Sequence, residues 1–234
     1  MNKNLGCVIS CYNEEKNISK LISDIVKQNL NRKISFVIVN NASTDNTNKI
    51  FKELKNQHKN IRFVTNDINK GWGYGIKFGL KYIKTDIIGW THSDLQYEIK
   101  DLTKVLNIIH DHRLTGSTNF LIKGNRIKRN YIDKFFSFIM QIICSLILKK
   151  KLRDINAQPV FINCDQLKNL KLPNGLEMDL DVYFKSIKNN SKIIRFDVIQ
   201  HKRVLGKSSW NNSIYSKLKI SIKFLKHAVK IKNG

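Results

Sequence analysis

A chain of 234 residues with 41% hydrophobic and 9% aromatic content is long enough to bury one core and too apolar to be disordered. Forty-two Lys and Arg against 18 Asp and Glu leave a formal charge of +24, which calls for an anionic partner: a phosphorylated substrate, an anionic membrane face or nucleic acid. The four cysteines, Cys7, Cys11, Cys144 and Cys164, have neither metal-site spacing nor a disulfide framework, so structural thiols in a reducing cytoplasm are expected.

Leu5 to Cys11 reads as a buried strand, and a chain that enters a strand so early is expected to lack a signal peptide. Glu14 to Gln28 follows as an amphipathic helix with Ile18, Leu21, Ile22 and Ile25 inward. Ile34 to Val39 is a second strand. After an Asn/Ser/Thr/Asp turn, a helix is predicted from about Thr44 to Asn56, with Ser43 or Thr44 as its cap. A strand at Ile61 to Thr65, a helix at Gly73 to Ile83 and a strand at Asp86 to Thr91 complete the first half.

The second half predicts a helix near Ile99 to His110, a strand near Thr115 to Ile122 and a long helix from about Ile127 to Lys151. Then come a short strand at Val160 to Ile162, a helix near Met178 to Asn189 and a strand at Ile193 to Val198. A loop over His201 to Asn212 leads to a terminal helix from about Ile214 to Ile231. The longest apolar run, Phe135 to Leu148, falls short of the roughly 20 residues that span a bilayer, so an integral membrane protein is not expected. Strands and helices alternating in this way imply a single α/β domain with a mainly parallel sheet flanked by helices.

Ligands of such sheets sit beyond the carboxyl ends of the strands, and the polar clusters fall there. Three of them are Tyr12-Asn13-Glu14-Glu15, Asn40 to Asp45 with Asn41 between, and Asn66 with Lys70-Gly71. Each could be ordinary turn chemistry, since Asn, Asp, Ser and Gly favour turns. Together on one sheet edge, they suit a nucleoside. Gly71, Gly73 and Gly75 would let backbone approach a phosphate near a helix N-terminus. The fourth cluster is His92-Ser93-Asp94-Leu95-Gln96. Residues two apart at a strand end face the same way, so His92, Asp94 and Gln96 can converge on Mg²⁺ or Mn²⁺, with Ser93 beside the diphosphate. Alternatively, Asp94 only caps the next helix and His92 is a surface histidine.

Cys7 to Ile18 and Val39 to Thr47 are similar to the first two strand ends of family 2 glycosyltransferases, and Asp94-Leu95-Gln96 resembles the tail of that family's Asp-x-Asp-Leu-Gln motif. That motif is the one of dolichyl-phosphate mannose synthase-like members, and the whole resembles envelope polysaccharide members too; Asp154 to Pro159 and Arg203-Val204-Leu205-Gly206-Lys207-Ser208-Ser209-Trp210 resemble later blocks of the family. His92 stands where an aspartate is usual, Asn40 and Asn41 replace acidic residues, and Cys11 replaces a common proline.

The resemblance implies a GT-A fold and an inverting, hexosyltransferase-type enzyme. Its nucleotide-sugar half would reach about residue 96 and its acceptor half residue 212, with 213–234 a basic C-terminal helix. It implies a nucleoside-diphosphate sugar (UDP or GDP most readily), Mg²⁺ or Mn²⁺, and a base downstream. Asp179 is favoured as that base, with Asp181 second; an acceptor that is already an anionic phosphate would need none. Both acids could instead complement a helix dipole. Arg203 is the phosphate contact expected in the Gly-Lys-Ser-Ser-Trp loop, with Arg126, Arg129 and Lys207 as further candidates.

Phe135 to Leu148, flanked by basic runs, reads either as an interfacial segment or as a buried core helix. With the basic terminal helix, it suggests peripheral attachment to the inner face of the cytoplasmic membrane, and a lipid-linked or polyprenyl phosphate acceptor in cell-envelope polysaccharide assembly. A catalytically silent nucleotide-sugar-binding protein is the alternative. Nucleic acid is not an expected partner, because no helix-turn-helix, zinc-finger or RRM signature is present.

Overall fold

In the computed structural model, which describes residues 5–115, 118–129, 131–168, 170–203 and 214–233, the first half alternates strand and helix as its periodicity implies. β1 (Leu5–Cys11), β2 (Ser35–Asn41), β3 (Arg62–Asn66) and β4 (Ile87–His92) are parallel neighbours in the order β3-β2-β1-β4. β1 is buried along its whole length, which is why it is a continuous apolar run rather than an alternating one. The intervening helices are α1 (Ile18–Lys27), the single turn α2 (Leu30–Lys33), α3 (Thr47–Gln57) and α4 (Trp72–Leu80).

Two helix starts differ from expectation. α1 begins at Ile18 rather than Glu14, because the Glu14 carbonyl accepts the amides of Asn17 and Ile18 in a turn that Asn13 enters at φ 55°. α3 begins at Thr47, whose amide Asp45 receives at 3.0 Å. Ser43 and Thr44 bond Asn13 instead, tying the first two strand ends together.

β5 (Phe120–Ile127), β6 (Val160–Asn163) and β7 (Lys192–Ile199) extend the sheet to seven strands, ordered β3-β2-β1-β4-β6-β5-β7. β6 runs antiparallel to β4 and β5, while β5 and β7 are parallel. The strand expected over 115–122 is thus displaced, and the helix expected from Ile127 to Lys151 is shorter, α6 running Tyr131–Leu148. The physical reason is that basic residues of this stretch have partners inside the fold. Lys123 is buried and donates to the Ala157 carbonyl at 2.8 Å, and Arg126 binds Asp154 through its backbone amide and its guanidinium.

α1, α3 and α5 (Asp101–Asp111) cover one sheet face. The other carries α4, α6, α7 (Met178–Lys188) and α8 (Ile214–Lys232), with Met140 and Cys144 of α6 and Phe224 and Ala228 of α8 in its core. The chain leaves β1 for β2 on one side and returns from β3 to β4 on the other. The carboxyl ends of β1 and β4 therefore flank a topological switch point.

Candidate functional site

That switch point opens into a cleft of about 460 Å³, walled on one side by strand-end residues and on the other by α6 and α8. Tyr12, Glu14, Asn41, Gly71 and Ser93 line it, as do His92, Asp94, Gln96 and Arg203. Asn41 is fixed from below, where Asn66 donates to its oxygen at 2.9 Å, and it donates in turn to the Gly71 carbonyl at 3.1 Å. Ser93 Oγ donates to the Ser10 carbonyl at 3.1 Å, locking the end of β4 to β1.

Four expected nucleotide contacts are not among the cleft-lining residues. Asn13 holds the 43–44 turn, and Asp45 receives the amides of Glu15 and Thr47. Asn66 supports Asn41, and the Lys70 ammonium lies 5.6 Å from the Tyr74 ring centre. The glycines also differ from expectation. A Cβ on Gly73 would meet the Gly175 carbonyl at 2.6 Å, and one on Gly75 would meet Ser10 Oγ at 2.1 Å. Both are small so that α4 can approach the 173–175 loop and β1, not to admit a phosphate. Gly71, at φ 114°, is the one of the three that lines the cleft.

At the His92–Gln96 end, Asp94 Oδ1 accepts the Gln96 amide at 3.1 Å in a turn that puts Leu95 at φ 58°. Gln96 Nε2 donates to the His201 carbonyl at 3.1 Å, and the Gln96 carbonyl accepts the His201 amide, which draws the 201–203 segment over the site. Arg203 lies in that segment, with its guanidinium 3.0 Å from both oxygens of Glu14 and 3.9 Å from Asp94 Oδ2. Burial raises the Glu14 carboxyl above its ordinary pKa, against the pull of Asn17 and Arg203. The His92 ring lies between Trp72 and Tyr97, with centroids 5.0 and 6.0 Å away.

Among the described residues, no three His, Cys, Asp or Glu side chains converge on a point. A cation here would hold Asp94 and the Gln96 amide oxygen and take its remaining ligands from diphosphate and water. Mg²⁺ and Mn²⁺ accept such a mixed, oxygen-rich shell, so the donor set fits.

The opposite end is cationic and apolar. Arg126 and Arg129 line it beside Lys217, which is paired with Asp133 at 2.6 Å, and Phe136, Met140 and Ile220 come from α6 and α8. Burial alone would raise the Asp154 carboxyl, but the charge and hydrogen bonds of Arg126 outweigh it and hold the pKa low. Trp72 Nε1, Arg129 Nε and Asn156 Oδ1 are buried in the cleft wall with no hydrogen-bond partner among the described residues. Buried polar atoms left this way call for a water, an ion or a ligand group beside them.

Asp179 and Asp181 are not among the cleft-lining residues. Asp179 is buried behind His92, accepting Trp90 Nε1–H at 2.9 Å and Gln158 Nε2–H at 2.7 Å. Burial raises its pKa, opposed by Lys123, and burial lowers the Lys123 ammonium to about 8. Asp181 pairs with His227 of α8. Lys207 and the Gly206 to Trp210 loop lie outside the described residues.

Residues 7–166 match the family model for glycosyl transferase family 2. The chain belongs to that family. Relatives of this glycosyltransferase include an uncharacterized protein of Methanocaldococcus jannaschii, 27% identical and covering 80% of this chain and 83% of its own. A dolichyl-phosphate beta-glucosyltransferase of Trichomonas vaginalis is 28% identical over 61% of this chain, which spans 47% of that protein. Glucosyl-3-phosphoglycerate synthase from Mycobacterium tuberculosis, solved with Mn²⁺, UDP and phosphoglyceric acid, superposes with a TM-score of 0.73 at 15% identity, over 100% of this chain and 79% of its own. The architecture is the GT-A fold of these glycosyltransferases.

The strand-end motifs of this transferase announced themselves by composition. The opposite wall did so only through Arg126, Arg129 and the Asp154 to Pro159 block. Its Lys217 is one lysine among many in a basic helix, and Trp72 and Tyr97, which flank His92, carry no local signal.

Proposed function

We propose that this family 2 enzyme is an inverting glycosyltransferase that moves a hexosyl group from a UDP- or GDP-sugar, with Mg²⁺ or Mn²⁺, to a polyprenyl phosphate or related lipid-linked acceptor in cell-envelope polysaccharide synthesis. The observation that carries this reading is the polarity of the cleft. Amides and carboxylates gather at the strand ends, and cations set in an apolar wall gather opposite. The first set suits a nucleoside diphosphate, with Asn41, Tyr12 and Glu14 around base and ribose. The second suits a phosphate carrying a hydrocarbon tail, the anion at Arg129 and Lys217 and the tail along Phe136, Met140 and Ile220.

The chemistry is consistent with that acceptor. A phosphate oxygen attacks the anomeric carbon from the face opposite the diphosphate, the bond to the diphosphate breaks, and its electron pair leaves with the nucleotide. No proton has to be removed from an anionic acceptor, so the enclosure of Asp179 is no obstacle. Asp94 and Gln96 would hold the cation, which would offset charge on the departing diphosphate. Arg203, now shared by Glu14 and Asp94, would turn to the diphosphate as donor and cation arrive.

A thermal-shift panel of UDP, GDP, CDP and dTDP with and without Mn²⁺ tests the donor half. One nucleotide is expected to stabilise the chain in a metal-dependent way, and Asp94→Ala is expected to abolish that dependence. Transfer to polyprenyl phosphate tests the rest. Unchanged turnover in Asp94→Ala would sink the metal assignment. A nucleotide shift with no turnover on any acceptor would leave a silent binding protein.

A further inference from the structure

α6 is apolar on two faces. Its inward face sends Met140, Cys144 and Leu148 into the core and sets Phe136 on the cleft wall. Its outward face carries Phe135, Phe138, Ile139, Ile142 and Leu146, all exposed, at helical offsets of three, four, seven and eleven from the first. Leu146 is 72% exposed, and Tyr131, at the start of the helix, is 88% exposed. α8 repeats the pattern: Phe224 and Ala228 point inward, while Tyr215, Leu218, Ile222 and Val229 form an outward stripe. The two helices pack together, and Lys217 of α8 pairs with Asp133 of α6 at 2.6 Å.

A helix on a protein surface needs one apolar stripe. A second stripe, facing away and shared by two adjacent helices, needs a second apolar medium. Charge says which medium it is. Lys219, Lys226 and Lys230 are exposed beside the outward stripe of α8, and Lys149 and Lys150 follow the end of α6. Such lysines lay their stems on apolar surface and raise their ammonium groups to phosphate headgroups. A second copy of the chain would instead bring these lysines against one another. Although α6 is long and apolar enough to pass for a membrane span, its inward face is committed to core and cleft, so it lies flat.

We propose that the outward faces of α6 and α8 form one docking surface for an anionic phospholipid bilayer. Its purpose rests on the lipid-phosphate reading above: the same two helices line the acceptor end of the cleft, so an acceptor headgroup would reach Arg129 and Lys217 without its tail leaving the interface. The pair of faces is what distinguishes this from a single amphipathic anchor. Either helix alone offers half the apolar area, and lipid affinity scales with the area buried.

The full chain would be sedimented with vesicles of phosphatidylcholine alone and of phosphatidylcholine with phosphatidylglycerol, without donor or acceptor. Binding is expected to the anionic vesicles, falling as salt rises. The double variants F135S/L146S and L218S/I222S are each expected to weaken it on the order of tenfold or more, since each removes two large apolar groups from the interface. Equal binding to both vesicle types, or an unchanged L218S/I222S variant, overturns the two-helix surface. So does a dimer that the same substitutions dissolve while vesicles stay unbound. Should a variant fail to fold, hydrogen exchange on the unaltered chain serves instead, with vesicle-induced protection expected in α6 and α8 and its absence there overturning the proposal. The nucleotide thermal shift is read without vesicles, so failure of the surface and failure of the donor reading remain distinct.

Discussion

Asp179 accepts one hydrogen bond on each carboxylate oxygen, from Trp90 and from Gln158, so an amide in its place can satisfy only one of the two donors. The other would face an NH₂ group in a buried space that also holds the Lys123 ammonium. Asp179→Asn is therefore expected to lower the unfolding free energy by about 1–3 kcal/mol, read as a lower urea midpoint at unchanged slope. The kinetic consequence separates two roles. A general base lost in this way costs on the order of 10²–10⁴-fold in turnover. With a lipid phosphate as acceptor, the loss is expected to stay below about tenfold, because the nucleophile arrives deprotonated. A loss of the larger size in the stable fraction of the enzyme would restore Asp179 as the base and with it a hydroxyl acceptor.

At the scale of elements, α4 shows how a motif that looks made for a ligand can be made for packing. Gly73 lies against two backbone carbonyls, of Gly175 and Pro173, neither of which can move aside as a side-chain tip can. Gly73→Ala is expected to cost about 1–3 kcal/mol by overpacking and to leave nucleotide affinity in the folded fraction unchanged, which urea unfolding and a binding titration would together check. The same contrast explains what could be read from sequence. β1 to β4 were legible because each strand is a local apolar run ended by turn residues, and their order along one edge put Asp94 at the cleft that the structure shows. The extent of β5 was not, because Lys123 and Arg126 do not look like strand residues until Ala157, Asp154 and Asp179 are known to lie beside them. Those partners are 28 or more positions away in the chain. Of the far wall, Arg126 and Arg129 were candidates by charge, but its apolar part was not legible, since α6 and α8 meet only in three dimensions.

For the molecule as a whole, buried thiols set an alkaline limit on stability. Burial raises Cys7 and Cys11 far above the ordinary thiol range and pushes Cys144 up to about 11. In the unfolded chain these thiols ionise near pH 9, the ordinary value, whereas in the folded chain they keep their protons. Their contribution is thus complete below that pH and is lost above it, at about 1.4 kcal/mol per pH unit for each thiol. Lys123 acts in the opposite sense. Its folded pKa of about 8 lies below its ordinary 10.5, so the folded state recovers stability as pH rises between those values. Burial lowers Lys77 as well and raises Cys164 as well, and two lysines against four thiols do not reverse the trend, although the fading self-repulsion of a chain with formal charge +24 softens it. In a reducing buffer the thermal midpoint is expected to hold or rise slightly from neutral pH to the onset of thiol ionisation and then to fall. Cys144→Ala should start lower, because it opens a small cavity, yet descend less steeply by one proton's worth. An alkaline limb whose slope is the same in Cys144→Ala as in the parent would show that the buried thiols do not set it.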